Sequence, residues 1–423
     1  MKAGSCPDGQ CRPQAAALEK TKARDPEVTP KTVAVVTGTR AEYGLLRPVI
    51  EKTQASERLR LRLVVTGAHL SNRFGNTVQE IEQSGVPIDR RIPILTHPST
   101  PLGSCKTVAD TIGYFSDYFE ETHPDAVLVL GDRYEIFAVV SAAAMLHIPV
   151  AHISGGDVTL GAADEFFRHS ITKMASLHFP SCAQYANRLV AMGEEPRRVF
   201  NVGGLGDENI RTLKLKDKAQ LAQDIGFALD APYLLVTYHP ETAGDADPVA
   251  QVRALLGALD ALPQLRVIFT LANADAGGEA INEALRAYVA RHSNSIAFTS
   301  MGMLNYLSAM RTAAAVVGNS SSGVVEAPSF GVPTVNIGDR QAGRLRCPSI
   351  LDCAADTASI RAALDTALCP EFAAKAKAQK SPYYNGTATS GEIVRILTEF
   401  LFSDLARQTK TFFDAPLAET YFS

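Results

Sequence analysis

Continuous apolar runs alternate with helix-like segments along most of the chain. The runs of the first half lie at residues 32–36, 61–66, 126–130, 148–153 and 177–180, with 200–203 completing the set. Because these runs lack polar alternation, they are typical of strands that are covered on both faces of a parallel sheet. Helix-like segments between them therefore predict right-handed βαβ units.

The same alternation restarts after residue 217. Its apolar runs lie at residues 233–237, 266–270, 296–298, 314–317 and 334–336. We therefore predict an α/β protein with two Rossmann-like domains that face each other across a cleft. The predicted divisions are a disordered leader at 1–30, domains at 31–205 and 206–385, and a C-terminal helix that crosses back, with a tail, at 386–423.

Composition limits the classes of function. The 423 residues are 46% hydrophobic and 20% charged, and their net charge is −4, so no general attraction to nucleic acid or anionic membranes is expected. No apolar run reaches the ~18 residues of a membrane span, and no secretion signal opens the chain. Acidic residues in the leader argue against a transit peptide. We expect a cytoplasmic protein.

Seven cysteines are scattered without the spacing of a metal site, which fits a reducing compartment. Cys6 and Cys11 are close enough in sequence to pair or to bind a metal ion. Solvated cysteines in a disordered leader are the interpretation that the spacing favours. We therefore predict no metal site.

Two consecutive strand ends in the first half carry chemical groups into one crevice, because ligands of open α/β sheets bind at the carboxyl ends of the strands. With the helix that follows, they supply Asp132, Arg133, Asp157, Asp164, Glu165, Arg168 and His169. Neighbouring carboxylates push their pKa values apart, which creates the acid and base that proton transfer needs. Asp164 and Glu165 also stand at a helix start, where carboxylates are favourable for structural reasons alone.

Two strand-to-helix turns have the composition of anion sites. Gly38-Thr39-Arg40 combines a tight turn, helix N–H groups and a cation. The segment 318–323 places three serines before a helix, whereas a single serine would suffice as a cap. Ser320 and Ser321 are therefore candidate phosphate ligands, and Glu326 is a candidate acceptor for ribose hydroxyls.

Further positions at or after strand ends join this set. His239 follows a strand directly, a place that fits a functional as well as a structural role. Arg344 closes a basic, glycine-flanked loop after the last predicted strand. Arg133, Asn273 and Phe298, each at or next to a strand end, complete the predicted binding positions. No GxGxxG is present at the first turn, so a nicotinamide cofactor is not indicated.

These residues resemble the hydrolysing UDP-N-acetylglucosamine 2-epimerase family from about residue 31 to about 414. The resemblance is carried, in order, by TGTRAEYGLLRP, GDRYE, HISGGDVTLGAADEFFRHSITK, TYHPET, GNSSSGVVEAPSFGVPTVNIGDRQAGR and SPYYNG. It implies a fold of the GT-B type, elimination of UDP from a UDP-sugar, and hydration of the glycal with inversion at C2. It implies no metal and no cofactor, and a role in sialic-acid or related nonulosonate synthesis.

The resemblance assigns roles to most of these residues, and the strand-end positions add Arg133, Asp157, Asn273 and Phe298 to the predicted sets. Asp132, Asp157, Asp164, Glu165 and His239 form the predicted catalytic set. Predicted UDP ligands are Arg40, Arg133, Asn273, Phe298, Ser320, Ser321, Glu326 and Arg344. The expected partner is a UDP-sugar, with no nucleic acid or membrane, and we predict a homodimer or homotetramer.

The substrate stays open between two sugars. UDP-N-acetylglucosamine is the first choice, but the sialic-acid branch has an acid directly after His-Ile, where this chain has Ser154. The segments 157–164 and 411–414 look more like the branch acting on UDP-2,4-diacetamido-2,4,6-trideoxyglucose. A glycosyltransferase on the same fold and a non-catalytic UDP-sugar sensor are the alternatives of other classes.

Overall fold

The structure is a computed structural model that describes residues 29–160, 163–241, 247–272, 277–386 and 388–415. Apart from its last two residues, the predicted leader lies outside the described residues. Within the described part, the helices and strands alternate as the apolar pattern predicts, except that the run at 200–203 does not form a strand.

The first half of the chain builds one parallel sheet and the helices that cover it. Its elements are β1 (Lys31–Thr37), α1 (Arg40–Gln54), β2 (Leu59–Thr66), α2 (Val78–Gln83), β3 (Ile88–Ile92), α3 (Pro101–Thr122), β4 (Ala126–Leu130), α4 (Tyr134–Met145), β5 (Val150–Ile153), α5 (Asp164–Met174), β6 (Leu177–Phe179), α6 (Ala183–Ala191) and α7 (Leu205–Thr212). All five residues of β4 and all four of β5 are buried, which explains their continuous apolar sequence.

The second half repeats the plan and then returns to the first. Its elements are α8 (Lys218–Ile225), β7 (Tyr233–Thr237), α9 (Pro248–Asp260), β8 (Arg266–Thr270), α10 (Gly278–Val289), β9 (Ser295–Phe298), α11 (Gly302–Thr312), β10 (Ala315–Gly318), α12 (Ser321–Val325), α13 (Ala327–Phe330), β11 (Thr334–Ile337), β12 (Ile350–Cys353), α14 (Thr357–Ala367), α15 (Pro370–Ala378) and α16 (Thr389–Leu401).

The two sheets share one topology. Among the described residues each has six parallel strands, in the orders β3-β2-β1-β4-β5-β6 and β12-β11-β10-β7-β8-β9. If the second sheet is read from β9 to β12 and its strands are numbered from one, both sheets follow the doubly wound 3-2-1-4-5-6 order of a Rossmann fold. The prediction of two Rossmann-like domains is therefore confirmed. In each sheet the strand order reverses between the first and fourth strands, β1/β4 and β7/β10.

Helix α16 crosses back to the first half, as predicted. Its side chains Ile393 and Leu397 are fully buried in the same core as Val33 and Leu46. The N-terminal end of the helix is held by Glu208 of α7, whose Oε2 accepts a hydrogen bond from Ser390 N at 2.6 Å. A carboxylate at this end is favourable because it satisfies an unpaired N–H and faces the positive end of the helix.

The returning helix is expected to contribute strongly to stability. Leu397→Ala should lower the free energy of unfolding by about 2–5 kcal/mol, because it leaves a cavity in the first core. Arg395→Ala, on the exposed face of the same helix, should cost less than about 1 kcal/mol. Chemical denaturation of both variants measures the difference. Equal losses would show that α16 does not belong to the first core.

Candidate active site

The first sheet presents two loops at its switch point. Gly38 to Arg40 follow β1, and Thr39 caps α1 by accepting from Glu42 N at 3.3 Å. The Glu42 carboxylate in turn accepts from Gly38 N at 2.8 Å. Asp132 follows β4 after Gly131, whose φ is 86°. The turns are therefore fixed by local hydrogen bonds and lie side by side.

The second sheet presents the matching pair of loops. His239 follows β7, and the serines follow β10. Buried Asn319 ties the two loops together, because its side chain accepts from His239 N at 2.7 Å and donates to His239 O at 2.8 Å. Ser320 caps the five-residue α12 by accepting from Ser322 N. One side chain thus sets the position of His239 relative to the serine loop.

The four loops enclose one cavity of about 320 Å3, within the ~300–1,000 Å3 usual for small-molecule sites. Its polar wall on the first side includes Arg40, Asp132, Ser154, Asp157 and Ser181, and on the second side His239, Tyr306, Ser320, Ser321, Ser322, Glu326, Arg340 and Arg344. The cavity therefore brings both predicted halves of the site together.

Asp132 forms an ion pair inside the protein. Its Oδ2 accepts from Arg168 Nε at 2.8 Å and from Arg168 Nη2 at 2.6 Å. Burial acts to raise the pKa of Asp132, but the positive charges of Arg168 and Arg344 outweigh burial and lower it. Asp132 is therefore a carboxylate that can accept a proton.

Asp157 has the opposite electrostatic character. It is buried and lies 3.4 Å from Arg344, which belongs to the other half of the chain. Burial raises the pKa of Asp157 above its ordinary range in spite of this cation. Within the described residues, Asp157 Oδ1 has no hydrogen-bond partner. Two carboxyl groups of one cavity are therefore biased toward different protonation states.

Some of the predicted UDP ligands line the cavity and others do not. Arg40 lines the cavity and spans the cleft, donating from Nη1 to Thr299 O at 3.2 Å. Glu326 lines it too, and burial raises the pKa of this carboxyl group although Ser322 donates to it. Arg133 instead donates to Glu135 at 2.7 Å and is not among the lining residues.

Other predicted positions lie away from the described cavity wall. Phe298, Asp164 and Glu165 do not line it, and Asn273 lies outside the described residues. Both oxygens of Glu165 are engaged by the protein: Oε2 accepts from Thr159 N at 2.6 Å and Oε1 lies 3.0 Å from His169 Nε2. Because it faces protein groups, Glu165 is placed to orient its neighbours.

The sequence analysis did not predict several residues that line or support the cavity. Tyr306 of α11 gave no signal because it lies far from any strand end. Arg340 and Ser322 stand inside segments already recognised as anion sites and were detectable there. Asn319 supports the site from behind, and its role depends on contacts between elements. Arg168 and His169, which the sequence placed in the crevice with the acids, do not line the cavity, and Arg168 is buried behind its wall. In the described part of the chain, no cluster of three or more metal-ligating side chains occurs.

Comparisons with known proteins identify the family. The family model described as UDP-N-acetylglucosamine 2-epimerase matches residues 51–398. The chain belongs to this family. It is 43% identical over 323 residues, 76% of this chain and 84% of the relative, to the Campylobacter jejuni GDP/UDP-N,N'-diacetylbacillosamine 2-epimerase (hydrolyzing). It is also 36% identical over 391 residues, 92% and 99% of the two chains, to the Escherichia coli polysialic acid biosynthesis protein P7.

A solved structure shows the same fold. The UDP-GlcNAc 2-epimerase from Neisseria meningitidis bound to UDP-GlcNAc superposes with a TM-score of 0.72 at 20% identity, covering 86% of this chain and 99% of the other. The predicted GT-B type of architecture is thereby confirmed. Membership of the family makes the protein a UDP-sugar 2-epimerase. No helix among the described residues is long and apolar enough to cross a bilayer.

Acid should weaken the fold behind the site. Burial lowers the pKa of His69 and of His152, each to about 4, whereas an unfolded histidine titrates near 6.5. The unfolded chain then binds more protons, so each group should reduce the free energy of unfolding by about 1.4 kcal/mol per pH unit as pH falls from 6.5 toward 4. His152→Gln, which keeps a donor for Gly131 O, should flatten this dependence. Denaturant titrations from pH 4 to 7 measure the slope, and an unchanged slope would contradict the assignment.

Proposed function

We propose that the protein is a hydrolysing 2-epimerase of a UDP-2-acetamido sugar. A base removes the C2 proton as the C1–oxygen bond to UDP breaks, which leaves a glycal. A proton then returns to C2 on the opposite face, and water supplies the hydroxyl at C1. The products are UDP and the free 2-epimeric sugar, so one water is consumed for each UDP released.

One observation carries this proposal: a single cavity has Asp132 and Asp157 on one wall and His239 with the serine loop on the other. Since the pKa of Asp132 is lowered and that of Asp157 is raised, the pair suits base and acid. The acid absent at Ser154 is then replaced by Asp157 in the same cavity.

The facing wall suits the departing diphosphate. Ser320, Ser321, Arg344 and, across the cleft, Arg40 would hold it, while Glu326 would accept from the ribose. Among the described residues, Nε of Arg340 and Nε of Arg344 are buried without a hydrogen-bond partner, which supports an anionic ligand. His239 would stabilise the charge that builds on the leaving group, an interaction that is stronger in the transition state.

Asp164 and Glu165 have different places in this proposal. A direct proton-transfer role for Asp164 stays a prediction, since Asp164 begins α5 and is outside the described cavity wall. Glu165 would act through Thr159, Arg168 and His169, which bind its oxygens. Arg133, Asn273 and Phe298 stay predictions as UDP ligands.

We propose UDP-N,N'-diacetylbacillosamine, which is UDP-2,4-diacetamido-2,4,6-trideoxyglucose, ahead of UDP-N-acetylglucosamine. The C. jejuni relative, at 43% identity, carries this sugar in its name, and Ser154 departs from the sialic-acid branch in the same direction. UDP-N-acetylglucosamine, the first choice from the sequence, becomes the alternative. In either case the product would feed nonulosonate synthesis; a cytoplasmic location and a homodimer or homotetramer stay predictions.

Turnover without an acceptor separates the classes of function. Incubated with each UDP-sugar alone, the protein should release UDP and the 2-epimeric free sugar, with a higher kcat/KM for the diacetamido sugar. Coupled UDP detection and NMR of the sugar measure both. A glycosyltransferase would transfer sugar only when an acceptor is added, and a sensor would bind without release. Faster turnover of UDP-N-acetylglucosamine would reverse the substrate order.

Two variants should separate chemistry from binding. Asp132→Asn should lower kcat by about 10²–10⁴-fold, the usual contribution of a general base, while UDP affinity changes little. Ser321→Ala, at an exposed position on the facing wall, should weaken UDP binding by roughly tenfold or more through one lost phosphate contact. Steady-state kinetics and calorimetric titration with UDP are the measurements. Full turnover in Asp132→Asn would remove this residue from the mechanism.

A further inference from the structure

The Arg168 guanidinium lies fully buried behind the cavity wall, on α5. Besides the two bonds to Asp132, its Nη1 donates to Glu165 Oε2 at 2.7 Å and to Asp157 O at 3.2 Å, and its Nη2 donates to Thr159 Oγ1 at 2.6 Å. A guanidinium has five N–H groups. All five are therefore used within the protein, which leaves none for a substrate.

Fold stability alone is a weak explanation for this arrangement. Burying a charged group is expensive, and well-packed apolar side chains often replace buried ion pairs at no loss of stability. What the guanidinium supplies is geometry: Nε and Nη2 both hold Oδ2 of Asp132 while Nη1 holds the backbone of Asp157, and its rigid, planar set of donors does this better than an aliphatic side chain or an ammonium group. Asp132 nevertheless keeps 20% of its side chain exposed and lines the cavity.

The same guanidinium also holds the loop that carries the second acid. Its bonds to Asp157 O and to Thr159 Oγ1 anchor the loop between β5 and α5 at two points. Glu165, one turn before Arg168 on α5, accepts a hydrogen bond from Thr159 N and so holds the same loop from the helix side. The spacing between Asp132 and Asp157 therefore depends on one side chain.

We infer that Arg168 is a positioning residue of the reaction: it aligns Asp132 with Asp157 on one wall of the sugar site and does not itself contact the substrate. This inference rests on the proposed function. It goes beyond that function by naming the side chain that holds the base and the acid in position.

The charges around Asp132 give the inference a measurable consequence. The groups that face this carboxylate are Arg168 from α5, Arg344 from the loop after β11, His152 from β5 and Asp157. Arg168 binds the carboxylate directly and, with Arg344, holds the pKa of Asp132 below its ordinary range against the effect of burial. Loss of the fork should raise this pKa, so a higher pH is needed to keep the base ionised.

The experiment compares Arg168→Lys with the wild-type enzyme. The lysine keeps the charge but loses the fork. We expect kcat to fall at least tenfold with KM nearly unchanged, and the acidic limb of the kcat/KM profile to move upward by about one pH unit or less, because hydrogen bonds from Arg168 that favour ionised Asp132 are lost while the charge is kept. An unchanged limb together with an unchanged kcat would overturn the inference.

Arg198→Lys is the matched control. Arg198 is also almost fully buried in the first half of the chain, where it binds Glu195, Ser176 O and Gln408 O, and it does not line the cavity. Both lysine variants should lower Tm, but only Arg168→Lys should move the acidic limb. A shift of the limb in both would show that general loosening of the domain is responsible, and would overturn the positioning role.

A milder variant covers the case in which Arg168→Lys does not fold. Thr159→Val removes one acceptor of Arg168 and should lower kcat several-fold while UDP affinity, measured by titration, stays at the wild-type value. If Arg168→Lys does not fold and Thr159→Val has the kcat of the wild type, the inference is also overturned. Wild-type protein that releases no UDP from any UDP-sugar would instead overturn the proposed function, and this inference with it.

Discussion

A strand that is covered on both faces of a parallel sheet carries mostly apolar side chains along its length, so chemical groups are concentrated where it ends. In this protein β4, β5, β7 and β10 are buried along their whole length. The ends of β4, β7 and β10 lie at the reversal of strand order, where loops diverge and leave a crevice, and β5 ends beside β4. Two sheets of the same topology face each other at this point, and the chemical groups of the cavity come mainly from the loops around it rather than from the cores.

The contacts between the two halves determine the electrostatics of the site as much as the crevice of each half does. Asp157 and Arg344 meet across the cleft at 3.4 Å, and Arg40 reaches Thr299 O. Each contact joins a group of the first sheet to one of the second. The electrostatic state of the acids is therefore a property of both domains together, because Arg344 helps to lower the pKa of Asp132 and opposes the rise in that of Asp157.

The sequence was sufficient where a residue's role follows from its own strand. The buried runs and the groups directly after them, Asp132, His239 and Ser320, were predictable for this reason. The edge strands β3 and β12 were missed because their sequences, IDRRI and ILDC, mix polar and apolar residues, as edge strands do. Asn319 and Arg168 were not recognised as supports, since only the packing of separate elements shows what they hold.

The charges near Ser154 and the backbone conformation of this residue bear on why the chain has a serine where the sialic-acid branch has an acid. Ser154 lines the cavity with φ at 67°, a left-handed conformation that costs most residues about 1–2 kcal/mol. Arg168 and Arg344 are the cations closest to the two acids, and they already have Asp132 and Asp157 as partners. A third carboxylate at 154 would therefore add negative charge to a partly desolvated wall without a dedicated cation. With a serine there, the wall keeps one carboxyl group whose pKa is lowered and one whose pKa is raised, the separation that the proposed acid and base use.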